Sequence, residues 1–236
     1  MDPQLKQIID MIQNSSLRKK VEDMINNPSI KIKGFRKIGL PLDKSPAGKS
    51  KHHSYDKGLI DHMVATTHTA IALCDVVEKV YHCKVNRDLV ISGILLHDLM
   101  KPLTYTKQDN GTYGISPLGE KLDHLSLVVA EGYRRKLPIE LLHIICAHHG
   151  RAGPISPHTI EALICHVADV ADATLNGEVF NAARWLVRDC VGEDITTVTA
   201  EEAYTIVQAK QTQGCEGVRE AFKKIKKKHS GGFKSY

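Results

Sequence analysis

Hydrophobic residues recur at every third or fourth position along most of the chain, and this spacing predicts a largely helical protein. At the N-terminus it predicts two short helices, over residues 3–13 and 16–26. Residues 27–56 break the pattern, because they are rich in proline, glycine, lysine and serine. An irregular connection of this length inside a domain is usually functional or flexible.

The middle of the chain predicts a series of helices separated by turn signals. These helices cover residues 57–81, 86–99, 117–135, 138–149 and 157–175. In residues 103–116, threonines and tyrosines alternate on both sides of Asp109-Asn110-Gly111, which predicts a small β-hairpin near the mouth of a site. Ser116-Pro117 is then expected to open the next helix, with serine as its cap.

The C-terminal part is again helical, with segments predicted at residues 178–190, 200–212 and 215–228. Thr199 and Glu202 have the spacing of a capping box for the second of these. We therefore expect an all-α bundle with one hairpin insertion, in three parts. They are an N-terminal helical arm and basic loop (1–45), a central helical domain (46–190), and C-terminal helices with a basic tail (191–236).

Composition is that of a globular protein of 236 residues, with 42% hydrophobic and 25% charged residues. No apolar run approaches the roughly 18 residues that span a bilayer, and the N-terminus lacks the features of a secretory signal. Six cysteines are present without a Cys-x-x-Cys pair. We therefore expect a cytoplasmic protein with reduced core cysteines and no membrane partner. The net charge of +5 allows an anionic ligand without requiring one.

Histidine is the informative anomaly, because 12 of the 13 histidines fall between His52 and His166. Among them, His97-Asp98 ends the apolar run Leu89–Leu96, and a buried carboxylate is normally paired or bound to a metal. Other imidazoles and a carboxylate lie on or at the ends of different predicted helices and could converge with this pair. The candidates are His62, His97, Asp98, His124, His148, His149 and Asp169.

Mixed nitrogen and oxygen ligands suit Mn, Fe, Co, Ni or Zn. The set exceeds what one ion ordinarily takes, so two divalent ions are expected, with Asp98 able to bridge them. Asp172 is a candidate to orient a ligand imidazole, whereas the roles of His166 and Asp123 stay open. Five further histidines are interpreted as surface or packing residues: His68, His82, His143, His158 and His229.

The ordered pattern H…HD…H…H…D resembles that of the HD-domain metal-dependent phosphohydrolases. The strings that carry the resemblance are KSKHHSYDKGLIDH, SGILLHDLMK, ICAHHG and EALICHVADVADATLN. They look most like the HD domain of 3′-to-5′ exoribonucleases and related archaeal HD proteins. The resemblance covers roughly residues 46–176, and it implies an HD-type helical bundle.

The resemblance also implies roles for individual residues. One metal ion would be held by His62, His97, Asp98 and Asp169, and the second by Asp98, His124 and His148. Asp98, Lys101 and His149 would be catalytic, with His149 also open as a ligand. Apart from the resemblance, we expect substrate contacts from His53, Lys101, His149 and Arg151, and the chemistry of the reaction leaves either His53 or His149 to protonate the leaving oxygen.

The expected activity is hydrolysis of a phosphoric ester by metal-activated hydroxide. The substrate would be a phosphodiester of a nucleotide, a cyclic nucleotide-like compound or an RNA 3′ end. The expected partner is a phosphorylated small molecule or nucleotide, with RNA and self-association left open. Two alternatives remain at this point: a di-iron oxygenase on the same fold, and a non-catalytic nucleotide-binding regulatory module.

Overall fold

The computed structural model describes residues 1–28, 30, 39–50, 52–195 and 197–230. Over these residues it is largely helical with one two-stranded hairpin, which confirms the predicted all-α class. Residues 31–38 and 51 of the predicted irregular stretch 27–56 lie outside the described residues, as does residue 29. Within the described chain, none of the helices combines the length and the apolar character needed to cross a membrane.

Two short helices at the N-terminus pack against the rest of the protein. They are α1 (Pro3–Asp10) and α2 (Ser15–Asn26), capped by Asp2 and Asn14. Their apolar residues, such as Leu5 and Val21, belong to the largest hydrophobic cluster of the protein. Asp88 fixes the turn between the helices, because its carboxylate accepts hydrogen bonds from the backbone amides of Gln13 and Asn14 at 2.8 Å.

The centre of the bundle is built from α3 (Gly58–Val80), α4 (Arg87–His97), α7 (Ile139–Ala147) and the first half of α8 (Ile160–Val191). Helix α4 is buried along its length from Val90 to His97, as its continuous apolar run predicts. Gly93 lets α4 approach α7 closely, since a Cβ atom there would lie 2.4 Å from Cγ2 of Ile144. Helix α4 therefore ends in the interior, where His97 and Asp98 follow.

The hairpin lies between the short helix α5 (Lys101–Thr104) and the next long helix. Its strands β1 (Tyr105–Lys107) and β2 (Tyr113–Ile115) are antiparallel, and Gly111 takes the left-handed conformation in the turn, with φ of 81°. Asp56 anchors the hairpin, because its carboxylate accepts from Lys107 Nζ at 2.6 Å and from the Tyr113 hydroxyl at 2.5 Å. The predicted hairpin is confirmed.

Two predicted helix starts are wrong. Helix α6 (His124–Arg134) begins seven residues after Pro117, and Asp123 caps it by accepting from the Ser126 amide at 2.7 Å. Ser116 instead closes a turn, with its hydroxyl donating to the Leu103 carbonyl. Helix α8 likewise begins after Pro157, at the cap Thr159, and it continues through the predicted break near residue 177.

The last helix, α9 (Ala200–Ser230), packs along the second half of α8. Gly214, with φ of 64° and ψ of −151°, interrupts its helical geometry and separates the two segments predicted there. The capping box is confirmed, since Thr199 and Glu202 exchange backbone-to-side-chain hydrogen bonds at 3.0 and 3.2 Å. Apolar side chains of α8 and α9 form a separate hydrophobic cluster.

The expectation that all six cysteines are reduced is wrong, because Cys190 and Cys215 form a disulfide. The two residues are 25 positions apart in the sequence, and the packing of α9 against α8 brings their Cα atoms within 5.2 Å. The four other cysteines are free thiols in the structure. The disulfide therefore links the end of α8 to the region of the break in α9.

Candidate metal centre

The predicted metal-ligating side chains come together around Asp98, which is 1% exposed. Asp98 caps the end of α4, where the chain turns inside the core. The other side chains come from α3, from the end of α4, from the start of α6, from the end of α7 and from α8. They are His62, His97, His124, His148 and Asp169.

One group of donor atoms lies on the Oδ2 side of Asp98. The Nε2 atom of His97 is 3.3 Å from this oxygen, and the Nε2 atom of His62 is 3.5 Å from it. Asp169 closes the group, because its Oδ1 atom is 3.1 Å from His62 Nε2 and 3.6 Å from His97 Nε2. These four side chains could hold one divalent cation.

A second group lies on the Oδ1 side of the same carboxylate. His124 Nε2 is 3.2 Å from Asp98 Oδ1, and His148 Nε2 is 3.9 Å from it. The ring of His149 packs beside them, with its centroid 3.9 Å from that of His148 and 5.3 Å from that of His124. Asp98 therefore presents one oxygen to each group, as a bridging carboxylate would.

Hydrogen bonds at the far side of the rings fix which nitrogen faces the centre. His97 Nδ1 donates to the carbonyl of Ile94 at 2.6 Å, and His148 Nδ1 donates to the carbonyl of Ile145 at 2.7 Å. Both carbonyls belong to the last turn of a helix, where they lack a helical partner. Because the proton is held on Nδ1, the lone pair of each Nε2 is available to a cation.

The ring of His62 is oriented by Asp172, one turn after Asp169 on α8. Asp172 Oδ2 accepts from His62 Nδ1 at 2.6 Å and from His53 Nε2 at 2.9 Å, while its Oδ1 accepts from Asn176 Nδ2 at 2.7 Å. Burial alone would raise the pKa of Asp172, but the hydrogen bonds from the two histidines outweigh it and lower this pKa to about 2. Asp172 is thus an ionised acceptor in the arrangement expected for it.

The atoms that face the centre are buried polar atoms without a hydrogen-bond partner among the described residues. They are Asp98 Oδ1 and the Nε2 atoms of His62, His97, His124 and His148. Leaving a buried donor or acceptor unsatisfied costs about 1–3 kcal/mol. Five such atoms facing one small region form an arrangement that a bound cation stabilises. The residues present therefore fit a divalent metal centre.

Lys101 lies within this arrangement, where its buried ammonium is 2.5 Å from Asp98 Oδ2. Burial opposes ionisation of Asp98, but Lys101 and His97 hold the pKa of this carboxyl well below its usual range. The carboxylate is therefore charged and surrounded by cationic or donor groups. Lys101 Nζ and a cation would share the Oδ2 side of Asp98.

The predicted substrate contacts lie in different surroundings. His149 and Arg151 are exposed, at the end of α7 and in the following turn. His53 is only 5% exposed, and both of its ring nitrogens have partners, Asp172 and the Tyr55 hydroxyl. As placed, neither nitrogen of His53 can contact a substrate. The structure therefore does not place His53 beside His149 as a substrate contact.

His52 is not among the metal ligands predicted from the sequence, although it lies in a loop whose polar groups could contact phosphate. Its ring centroid is 5.5 Å from that of His62, and its Nδ1 is buried without a hydrogen-bond partner among the described residues. The adjacent histidines in the string KHHSYD were the available signal. His166, whose role was open, donates from Nδ1 to the His148 carbonyl at 2.7 Å, so it supports the chain next to a candidate ligand.

The chain is similar to a known family model and to several known proteins. The HD domain family model matches residues 59–174. The dihydroneopterin 2′,3′-cyclic phosphate phosphodiesterase of Methanocaldococcus jannaschii is 40% identical over 185 residues, which cover 78% of this chain and 74% of the relative. No solved structure gave a significant match.

Proteins named 3′-5′ exoribonuclease YhaM are also similar. The protein from Bacillus pumilus is 31% identical over 153 residues, covering 60% of this chain and 46% of the relative. The protein from Listeria innocua is 33% identical over 142 residues, covering 56% and 43%. The chain thus matches less than half the length of these two exoribonucleases. The family model and the relative that is matched over most of its length show that the chain belongs to the HD-domain family.

Proposed function

We propose that this chain is a metal-dependent phosphodiesterase that opens a cyclic phosphate ester of a nucleotide-like small molecule. The observation that carries the proposal is the convergence of buried donor atoms on both oxygens of Asp98. His62, His97, Asp98 and Asp169 would hold one ion, and Asp98, His124 and His148 the other. The identity of the metal within the set Mn, Fe, Co, Ni and Zn stays a prediction.

Two bound divalent ions would lower the pKa of a bound water, and their positive charge would stabilise the phosphate oxygens. Residues of the chain hold the candidate ligands in place. Asp172 holds His62 in the orientation that directs Nε2 to the centre, and the carbonyls of Ile94 and Ile145 do the same for His97 and His148. Fixed ligands of this kind need little rearrangement during the reaction, which favours stabilisation of the transition state.

Lys101 and His149 are proposed to act on the substrate. The Lys101 ammonium is already at the centre, 2.5 Å from Asp98, so a short movement would bring it to a phosphate oxygen. His149 lies at the exposed edge of the centre, where its imidazole could protonate the leaving alkoxide. Arg151 is a proposed outer phosphate contact. We propose that His53 positions Asp172 and does not bind the substrate.

The choice of a cyclic ester rests on the relative that the chain matches over 74% of its length, whose name specifies a 2′,3′-cyclic phosphate. The exoribonucleases are matched over less than half of their length, so a small diester is favoured over an RNA end. The cytoplasmic location expected from the sequence stays a prediction. The Cys190–Cys215 disulfide weighs against it, because disulfides are rare in that compartment.

The test is hydrolysis of bis-p-nitrophenyl phosphate and of a 2′,3′-cyclic nucleotide with added Mn²⁺. We expect wild type to cleave both, and Asp98→Ala to lose both turnover and bound metal, because each group of donor atoms includes an Asp98 oxygen. His143→Ala is the matched control, since His143 lies on α7 but pairs with the His158 amide instead. Equal activity in wild type and Asp98→Ala, or oxygen uptake without ester cleavage, would contradict the proposal.

A further inference from the structure

A pocket of about 360 Å³ lies beside the metal centre. It is formed by the segment around His52 and His53, the middle of α8, the chain leading into α9, and the turn of the hairpin. This volume falls in the range of sites that take small organic ligands. The candidate metal-ligating residues do not line the pocket, so it is a site beside the centre and not part of it.

His52 and His53 lie at the side of the pocket that is nearest to the metal centre. Both rings line the pocket, and both ring centroids are 5.5 Å from the centroid of His62. His53 is fully engaged by its hydrogen bonds. His52 is different, because its buried Nδ1 has no hydrogen-bond partner among the described residues. The ring of His52, which carries this atom without a partner, therefore lies next to the candidate ligand His62.

The lining of the pocket combines an apolar side with a polar rim. Phe180, Val198 and Ala203 provide apolar surface, including one aromatic ring, and Val198 and Ala203 are buried. Lys49 and Arg184, both exposed, add positive charge at the rim. A flat ring with polar edges suits such a lining, because its faces pack on apolar and aromatic side chains while its edges reach the rim.

We infer that this pocket binds the planar heterocyclic base of the substrate while the cyclic phosphate lies at the metal centre. The inference rests on the proposed function and adds where the substrate's organic part is recognised. Phe180 would stack on the base, and His52 would contact the sugar or phosphate that joins the two sites. The pocket accordingly serves specificity, whereas the residues around Asp98 serve the reaction.

The experiment compares two substrates on the full chain with Mn²⁺: 2′,3′-cyclic GMP and glycerol 1,2-cyclic phosphate, which has the same type of ester but no base. Phe180→Ala is expected to raise KM for the nucleotide by about 5- to 100-fold, the range of base–aromatic stacking. It should leave kcat/KM for the base-free ester unchanged. Leu175→Ala, at an exposed position of the same helix, is the matched control and should change neither.

Phe180 also packs against the cluster between α8 and α9, so loss of folding must be separated from loss of binding. Phe180→Leu keeps an apolar side chain of similar size without a flat ring, and it should show the same selective rise in KM with an unchanged circular dichroism spectrum. An equal change for both substrates, or no change for either, would overturn the inference.

A binding measurement distinguishes failure of the pocket from failure of the proposed function. Guanosine carries no phosphate, and we expect it to bind wild type and to bind Phe180→Leu at least 5-fold more weakly in titration calorimetry. If wild type hydrolyses neither ester but shows this difference, the proposed function fails and the pocket inference stands. If wild type hydrolyses both esters and guanosine binds the two proteins equally, the pocket inference fails.

Discussion

Replacing Asp172 by asparagine would test whether the histidines must be held in place to bind metal. In wild type, Asp172 Oδ2 accepts from His62 Nδ1 at 2.6 Å and from His53 Nε2 at 2.9 Å. An asparagine amide has one acceptor oxygen and one donor nitrogen at this place. If the donor faces His62, the proton must move to Nε2, and the lone pair that faces the centre is lost.

The size of the effect follows from the role of such carboxylates. Loss of a partner that orients a metal-ligating histidine typically costs 10- to 100-fold in metal affinity, about 1.4–2.7 kcal/mol. Asp172 is a partner of His62 but not of His97 or His148, which use backbone carbonyls. We therefore expect one of two ions to bind more weakly, the ion on the Oδ2 side of Asp98.

The assay is titration of metal-depleted protein with Mn²⁺ by calorimetry, followed by measurement of turnover at saturating metal. Asp172→Asn should show one weakened site and one site close to wild type, with a circular dichroism spectrum like that of wild type. Glu178→Gln is the control, because Glu178 is an exposed carboxylate on the same helix. Unchanged affinity at both sites of a folded Asp172→Asn protein would refute the reasoning.

Three further predictions concern stability. Glu131→Gln should lower the free energy of unfolding by about 1.5–3 kcal/mol at pH 7, because the buried Glu131 carboxylate accepts from Arg134 and Arg135 at 2.6–2.7 Å. Burial opposes the shift, but the two arginines lower the pKa of Glu131, so its contribution is present above the unfolded-state pKa and lost as the pH falls through the folded-state pKa. In urea titrations, wild type and Glu131→Gln should therefore differ at pH 7 and differ less at pH 3; a difference of the same size at both pH values would contradict this. Cys190→Ser should destabilise the α8–α9 pair by up to about 3.5 kcal/mol, because the Cys190–Cys215 disulfide closes a loop of 25 residues. Thermal unfolding measures this loss, and equal melting curves of wild type with and without reductant would contradict it. Removal of metal by chelation should lower Tm, and re-addition of Mn²⁺ should restore it; a Tm independent of metal would count against the centre.

The sequence was sufficient to predict the family, the all-α class and the hairpin, for physical reasons. Asp109-Asn110-Gly111 can form only a few tight turns, and an apolar run ending in His97-Asp98 must bury two polar groups. The spacing of helical segments also predicted that residues from His62 to Asp169 could meet, and their donor atoms do lie close together in the structure.

Other features depend on contacts that no local pattern records. Ser116 is a good cap by residue type, and its hydroxyl does accept from the Gly119 amide at 3.0 Å, but only a turn follows it, and Asp123 caps the helix instead. His53 and His52 are adjacent in sequence, yet one is bound on both nitrogens and the other has a ring nitrogen without a partner among the described residues. The disulfide follows from the packing of α9 on α8, which the spacing of Cys190 and Cys215 alone does not reveal.

In the proposed centre, the two oxygens of Asp98 bridge two cations. Anomalous diffraction from crystals grown with Mn²⁺ tests this bridging most directly. We expect two peaks, one within ligand distance of His62, His97, Asp98 and Asp169, and the other within ligand distance of Asp98, His124 and His148. Absence of both peaks at saturating Mn²⁺, or peaks bound only by other residues, would contradict it.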